Sequence, residues 1–421
     1  MFNNKLKGAW LIHHAKKLNS VDGSVHSFEN TLLAGKAGTL LSSLSNDNES
    51  IISKDRVQVL TAVTGINKIE REGLLKLLKD KELIDYSTTG EVVTLGLTNH
   101  SVLEHTANIF DSEEPSNVEQ SALVLSEKAS HEPVLKQEIE EYLTDNFKLS
   151  KNDSDNLFFS AEKIGFTDVE TISPNEKILF NGNLFKREFT QKIGKIFQTL
   201  SNVESQNISE LNEILQRDGC VAYEEAERLL GTVLLNKLRP IGFYDVSLVS
   251  NSTETVAYLT LPSAFSKFGS NPIIDDTFDL AKAFISSLKY GMTRSASNRG
   301  RIQMIEPLLR KLIRGQPIGP VTAIGQDYKI LELRGVVRVT PAINGMFYLH
   351  LLKKEVGEIA LQVLTTGGAS EHLLTNNLIP STSATNFQGP EVTREISRKK
   401  QLEQTPNETN HMINVLRTGR L

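Results

Sequence analysis

A mainly α chain with small β-hairpins, an α+β protein built of tandem units, is what these 421 residues predict. Three observations lead there. Apolar residues recur at helical spacing through most of the chain, in segments punctuated by Gly, Pro, Asn and Asp. Short alternating runs of strand type come in pairs, and each pair follows helices. The length exceeds what one core can organise and points to two to four domains.

Taken in order, Trp10, Leu11, Ile12, Ala15 and Leu18 give a first helix an apolar face, followed by a Gly/Ser/Asp loop over Val21–Ser27 and a helix from Phe28 to Ser45. Ser53 is placed to cap a helix Lys54–Thr64, and Lys68–Lys81 resumes helical spacing. A strand at 82–86, a Gly turn and an alternating run Glu91–Leu97 follow. The segment LLKLLKDKELIDYSTTGEVVTL resembles the winged helix-turn-helix superfamily, over about 50 residues and by pattern. The resemblance implies a second helix that enters a DNA major groove and a hairpin wing that reaches the minor groove or the backbone.

Residues 101–131 read as an acidic, Ser-rich linker with one helix in it at most. Residues 132–204 read as a degenerate unit of the same kind, with helices from Pro133 and at Leu157–Ile164, a strand Lys177–Phe180 and an amphipathic Phe189–Leu200. In 205–270 the helices are Ile208–Arg217, Tyr223–Leu230 and Thr232–Leu238, and the hairpin pairs Tyr244–Val249 with Thr255–Leu261. In 271–366, Asp275 or Asp276 caps a helix Thr277–Tyr290. A basic loop, a helix Ile302–Arg314, a mostly helical Val321–Leu333, a hairpin of 335–341 with 346–352, and a closing helix Glu355–Leu364 complete it. From 367 to 421 the chain is Ser/Thr/Asn/Gln-rich and reads as a disordered tail. The first unit, 1–100, and the last are the best formed.

The composition is that of an ordinary soluble protein, 39% hydrophobic and 23% charged, with a net charge of -5. One cysteine, Cys220, excludes a disulfide framework and a four-cysteine zinc site and fits a cytoplasmic location. The only apolar run near the start, Ala9–Ile12, is too short for a signal segment or a span, so no membrane association is expected.

Charge is unevenly spread. Residues 101–145 carry eleven acids and two lysines, whereas 289–315 carry seven Lys/Arg and one acid. That basic stretch spaces its arginines with Gly, Ser, Thr and Asn, which suits phosphate contact. The expected nucleic-acid contacts are therefore Lys289, Arg294, Arg299, Arg301, Arg310, Lys311 and Arg314. In the last unit Gln326 and Lys329 would join them from the groove helix and Arg338 from the wing, and in the first unit Lys68 and Arg71.

Catalytic signatures are missing or incomplete. Gly35-Lys36 sits in a run with Asn30 where a phosphate loop needs Gly and Ala37 where it needs Ser/Thr. His13 and His14, with His26 nearby, point about 100° apart on a helix and are expected to be surface or partly packed residues. Asp327-Tyr-Lys329 with Glu332 lacks the further acid of a nuclease, and Cys220 has no neighbouring base. The expectation is a non-enzymatic protein without cofactor or metal that binds double-stranded DNA. It would be a transcription regulator, a replication or partition factor, or a DNA-sensing component of a mobile-element or defence system. The alternative is an adaptor that engages a protein partner through the acidic linker or the tail; a homo-oligomer is compatible with both.

Overall fold

The computed structural model describes residues 3–19, 21, 27–47, 50–173, 176–185, 187–250, 254–268 and 272–369. Most of the expected Val21–Ser27 loop, His26 and the tail from 370 onward lie outside the described residues. The described chain is mainly helical with small antiparallel sheets.

Helix α1 (Asn4–Asn19) is followed by the first module: α2 (Glu29–Ser45), α3 (Lys54–Val63), α4 (Lys68–Asp80) and the hairpin β1 (Ile84–Tyr86) and β2 (Val92–Thr94). Ser53 caps α3 as expected, its hydroxyl accepting from the Arg56 N–H. Asn67 starts α4 with a reciprocal capping box to Glu70, which satisfies two otherwise orphaned N–H groups and fixes the turn between the two helices. Ile52 bridges back to Val92 in β2.

Helix α5 (Asn99–Ser112) and helix α6 (Asn117–His131) occupy the stretch read as a linker. That expectation was wrong. Val102, Leu103, Ile109, Phe110, Leu123 and Leu125 are all buried, and acids of the segment hold other elements of the fold. Glu119 is buried and accepts from the Thr31 backbone N–H at 2.8 Å, and Asp111 receives Lys7 Nζ at 2.8 Å.

The second module continues from α6 with β3 (Val134–Leu135), α7 (Lys136–Phe147), α8 (Lys151–Ile164), β4 (Asp168–Ser173) and β5 (Glu176–Phe180), and α9 (Arg187–Gln198) follows it. The third is α10 (Asn202–Asp218), β6 (Val221–Ala222), α11 (Tyr223–Leu230), α12 (Thr232–Leu238), β7 (Asp245–Ser250) and β8 (Thr255–Thr260). After α13 (Ser263–Ser266) comes α14 (Pro272–Thr293), which starts before Asp275 and Asp276 instead of being capped by them. The fourth module is α15 (Ile305–Ile313), β9 (Ile318–Val321), α16 (Ile324–Asp327), α17 (Lys329–Leu333), β10 (Val337–Pro341) and β11 (Phe347–Leu351), closed by α18 (Lys354–Thr366). The stretch Val321–Leu333 is mostly helical as expected, but it divides into a strand end and two short helices, broken at Tyr328.

Among the described residues one connectivity occurs four times: a helix, a short strand or bridge, two helices and a hairpin. In the second, third and fourth modules the short strand pairs with the second hairpin strand, giving the sheet orders β3–β5–β4, β6–β8–β7 and β9–β11–β10. In the first, the Ile52–Val92 bridge takes the place of that strand. The last strand is therefore central in each three-stranded sheet, and the first tethers the start of the helix pair to the root of the hairpin.

Three apolar clusters hold these modules together. One joins α1, α2, α5 and the first module; a second gathers the second module around Leu143, Leu157 and Phe166; the largest spans the third and fourth modules. Helix α14 runs through that largest cluster with Phe278, Ala281, Phe284, Ile285 and Leu288 buried, the face its spacing predicts, and packs on α18, β7 and α15. Cys220 lies fully buried between α10 and β6.

Helix α1 departs most from expectation. It is buried from Gly8 to Ala15 without a solvent face, so His13 and His14 are interior residues and not surface ones. Gly8 permits this burial, because a Cβ there would stand 2.0 Å from the Leu103 carbonyl oxygen of α5. His14 stacks on Phe166 with ring centroids 3.8 Å apart and bonds Ser126 Oγ through Nε2 at 2.9 Å. Burial, aided by Lys17, keeps the His13 imidazole well below its usual range; burial, then His13 and Lys17, do the same for His14.

The sign of the pH effect follows. The unfolded chain takes up protons near pH 6.5 that the folded chain refuses, so stability is intact above that value and falls as pH drops below it. Each histidine is expected to remove about 1.4 kcal/mol per pH unit while it remains unprotonated in the fold. Urea unfolding at pH 7.5, 6.5 and 5.5 checks this. The loss should shrink in a His13→Asn/His14→Asn protein; an unchanged slope would assign it elsewhere.

Candidate nucleic-acid interface

The basic stretch at and beyond the end of α14 folds back on the protein. Lys289 Nζ lies 2.9 Å from Asp218 Oδ2 at the end of α10. Arg294 hydrogen-bonds Glu224 on α11, a contact that raises the guanidinium pKa. Arg299 gives Nη2 to Asp327 Oδ1 at 3.0 Å and to Gln326 Oε1 at 2.9 Å, while its own carbonyl accepts from the Ala323 N–H at 3.0 Å. Arg301 donates through Nε to the Met292 carbonyl at 2.8 Å. Gly300 stands at φ +104, and a Cβ there would meet Val321 at 2.4 Å. Gly300 thus lets the backbone come close to β9 rather than to a ligand.

Lys289 and Arg294 tie α14 and the loop to the third module, Arg299 ties the loop to the end of α16, and Arg301 closes it on the last turn of α14. Their partners, Asp218, Glu224 and Asp327, lie 71, 70 and 28 residues away in sequence, which is why the local charge balance made the loop look free. Gln326, expected to read a base edge, is exposed but accepts from Arg299.

The remaining expected contacts stay at the surface. Arg310 pairs with Glu306 one turn earlier on α15, and Lys311 and Arg314 are exposed at the end of the same helix. Lys329 opens α17 and Arg338 is exposed on β10, so these two share the helix–hairpin part of the fourth module. Lys68 is exposed and Arg71 half-buried on α4 of the first module, which packs on α2 and β1.

The stretch around Gly35-Lys36 is the interior of α2, and Lys36 pairs with Glu70 at 2.7 Å. Asp327, the acid of the Asp-x-Lys fragment, is buried and holds Arg299. Among the described residues no cluster of three or more His, Cys, Asp or Glu is arranged to hold a metal ion, and no helix is long and apolar enough to cross a membrane.

Residue-by-residue reading missed cations on the other two modules. Lys151 is exposed at the start of α8, and Lys237 and Arg239 are exposed at the end of α12. Aligning the four modules on the second helix of each pair would have found them. Comparison with family models, with curated proteins and with solved structures returned no match.

Proposed function

We propose that the chain is a non-enzymatic, cytoplasmic binding protein for double-stranded DNA, built of four tandem winged-helix modules. The observation that carries the reading is the fourfold recurrence of one connectivity, a helix pair followed by a hairpin whose last strand is tied to a short strand ahead of the pair. A helix pair with a hairpin wing is the order used to set one helix in a groove and the wing on the flanking backbone. Exposed cations on the groove helices and the wing support it, Lys68, Lys151, Lys329 and Arg338, as do Lys311 and Arg314 at the end of α15. The loop cations from Lys289 to Arg301 leave the proposed contact set, because the fold already uses them. A regulator, a replication or partition factor, or a DNA sensor would each use such an arrangement.

An electrophoretic shift on duplex DNA across a salt series tests the reading. About four phosphate contacts give a slope near -3.6 in log K against log salt. Changing Lys311, Arg314, Lys329 and Arg338 to Ala should flatten the slope by about one for each phosphate contact removed. Arg299→Ala should leave the slope alone and instead lower folding stability by about 1.5–3 kcal/mol, the worth of a charged hydrogen bond. No shift on duplex, or a slope that the surface variant leaves unchanged, overturns the proposal.

A second reading, a protein adaptor, is favoured by one observation: Leu333 at the end of α17 and Ile343 between β10 and β11 are both exposed aliphatics. A stoichiometric partner recovered from nuclease-treated lysate, together with no shift on duplex, would select it.

A further inference from the structure

The second helices of the four pairs open with related residue pairs, Lys-Ile in two of them. Three begin with an exposed lysine, Lys68, Lys151 and Lys329; the remaining one begins with Thr232. At the next position stand Ile69, Val233 and Ile330 in the first, third and fourth modules, exposed by 85%, 71% and 62%. In the second module Asn152 is exposed at that place.

Nothing in the fold calls for these aliphatics. Each helix already buries other residues: Leu74 and Leu78 on α4, Leu234 and Leu235 on α12, Leu331 on α17. A β-branched residue lowers helix propensity, and leaving it in water forgoes the gain of burial. Single exposed aliphatics are ordinary on protein surfaces. The same type at the same place in three of four modules, in two of them directly after a lysine, is a pattern that single exposures do not produce.

We infer that this pair of positions selects A·T-containing duplex: the first residue holds a phosphate, and the second meets the major-groove edge of an A·T pair. The inference rests on the DNA-binding reading above. Groove helices contact bases through their first residues. The major-groove edge of thymine carries a methyl group, the one apolar feature there, and Ile or Val suits it. The adenine edge offers N6 and N7, which the amide of Asn152 suits. Both residue types thus converge on the same base pair. Lysine supplies the charge complementarity to the adjoining phosphate. The contacts are made by side chains, one module at a time, and need no single surface common to all four.

The test compares three probes of equal length by electrophoretic shift: an A·T duplex, the same duplex with deoxyuridine for thymidine, and a G·C duplex. Deoxyuridine removes only the methyl. For every methyl that an aliphatic side chain covers, its removal should weaken binding about fourfold, the transfer preference of one buried carbon. A protein with Ile69→Ala, Val233→Ala and Ile330→Ala should bind the thymidine duplex as the wild type binds the deoxyuridine one, and lose nothing further on deoxyuridine. Asn152→Ala should reduce the preference for A·T over G·C about tenfold. All these side chains are exposed, so the variants are expected to fold.

Equal binding of the thymidine and deoxyuridine duplexes overturns the inference while the DNA-binding reading stands. A triple variant with unchanged DNA affinity also overturns it and assigns the aliphatics to a protein contact. Failure to bind any of the three duplexes overturns the DNA-binding reading and this inference with it.

Discussion

Lys267→Met is expected to lower the unfolding free energy by about 3–5 kcal/mol, the cost of leaving one partner of a buried ion pair alone. Lys267, just after α13, places Nζ 2.7 and 3.0 Å from the two oxygens of Glu127 on α6, and both side chains are almost wholly enclosed. Glu127 also accepts from Trp10 Nε1 at 2.7 Å and lies 2.8 Å from His131 Nε2. Burial alone would raise its carboxyl; Lys267, then His131, hold it instead well below the usual carboxylate range. This cluster fastens α1 and α6 to the chain 140 residues further on.

Without Lys267 the carboxylate stays buried with too little compensation. A cavity of about 250 Å³ beside it, lined by His131, Gln216 and Gln362 among others, admits water and favours the lower end of that range. Urea unfolding followed by circular dichroism reads the loss. Adding Glu127→Gln to Lys267→Met should recover part of it, since the amide removes the stranded charge and still accepts from Trp10. A loss under about 1 kcal/mol would mean that water screens the pair and that it does not hold the two regions together.

Gly8→Ala should be nearly as damaging. The new methyl would fall 2.0 Å from the Leu103 carbonyl oxygen and 2.8 Å from its carbon, both backbone atoms, so α1 and α5 must move apart. Overpacking of this kind costs about 1–3 kcal/mol, and more where backbone cannot yield. The helix-propensity gain of about 1 kcal/mol on removing glycine offsets only part of it. Gly73→Ala on α4 is the control, because a Cβ there has open space around it. It should stabilise by about 0.5–1 kcal/mol. Opposite signs in thermal melts of the two variants support the close helix crossing; a neutral Gly8→Ala overturns it.

The parts of the fold legible in the sequence were those with punctuation. Helices Tyr223–Leu230 and Thr232–Leu238 fall between Gly219, Gly231 and Gly242, and the reading of both matches the structure at each end. The strands Val134–Leu135 and Val221–Ala222 were missed because two residues carry no period. Helices α5 and α6 were taken for a linker because carboxylates count as solvent-facing in any composition argument. Glu119 and Glu127 are interior, and only their partners Thr31, Trp10 and Lys267, remote in sequence, explain why. The loop of 289–301 looked free for the mirror-image reason: its cations were visible, and the acids that pair with Lys289, Arg294 and Arg299 were not.

Cys220 has a practical consequence. Burial pushes its thiol up to about 12, against a weaker opposing pull from Lys289 and Ser286. At pH 8 only about one molecule in ten thousand would carry the thiolate that electrophiles attack. The native protein is therefore expected to label negligibly with maleimide dyes. A cysteine introduced at Arg338 (Arg338→Cys) or at Lys68 (Lys68→Cys) would be the sole reactive handle, and the pair together would take a donor and an acceptor dye with no background from the native residue. The distance between the first and fourth modules could then be followed in solution, with and without duplex.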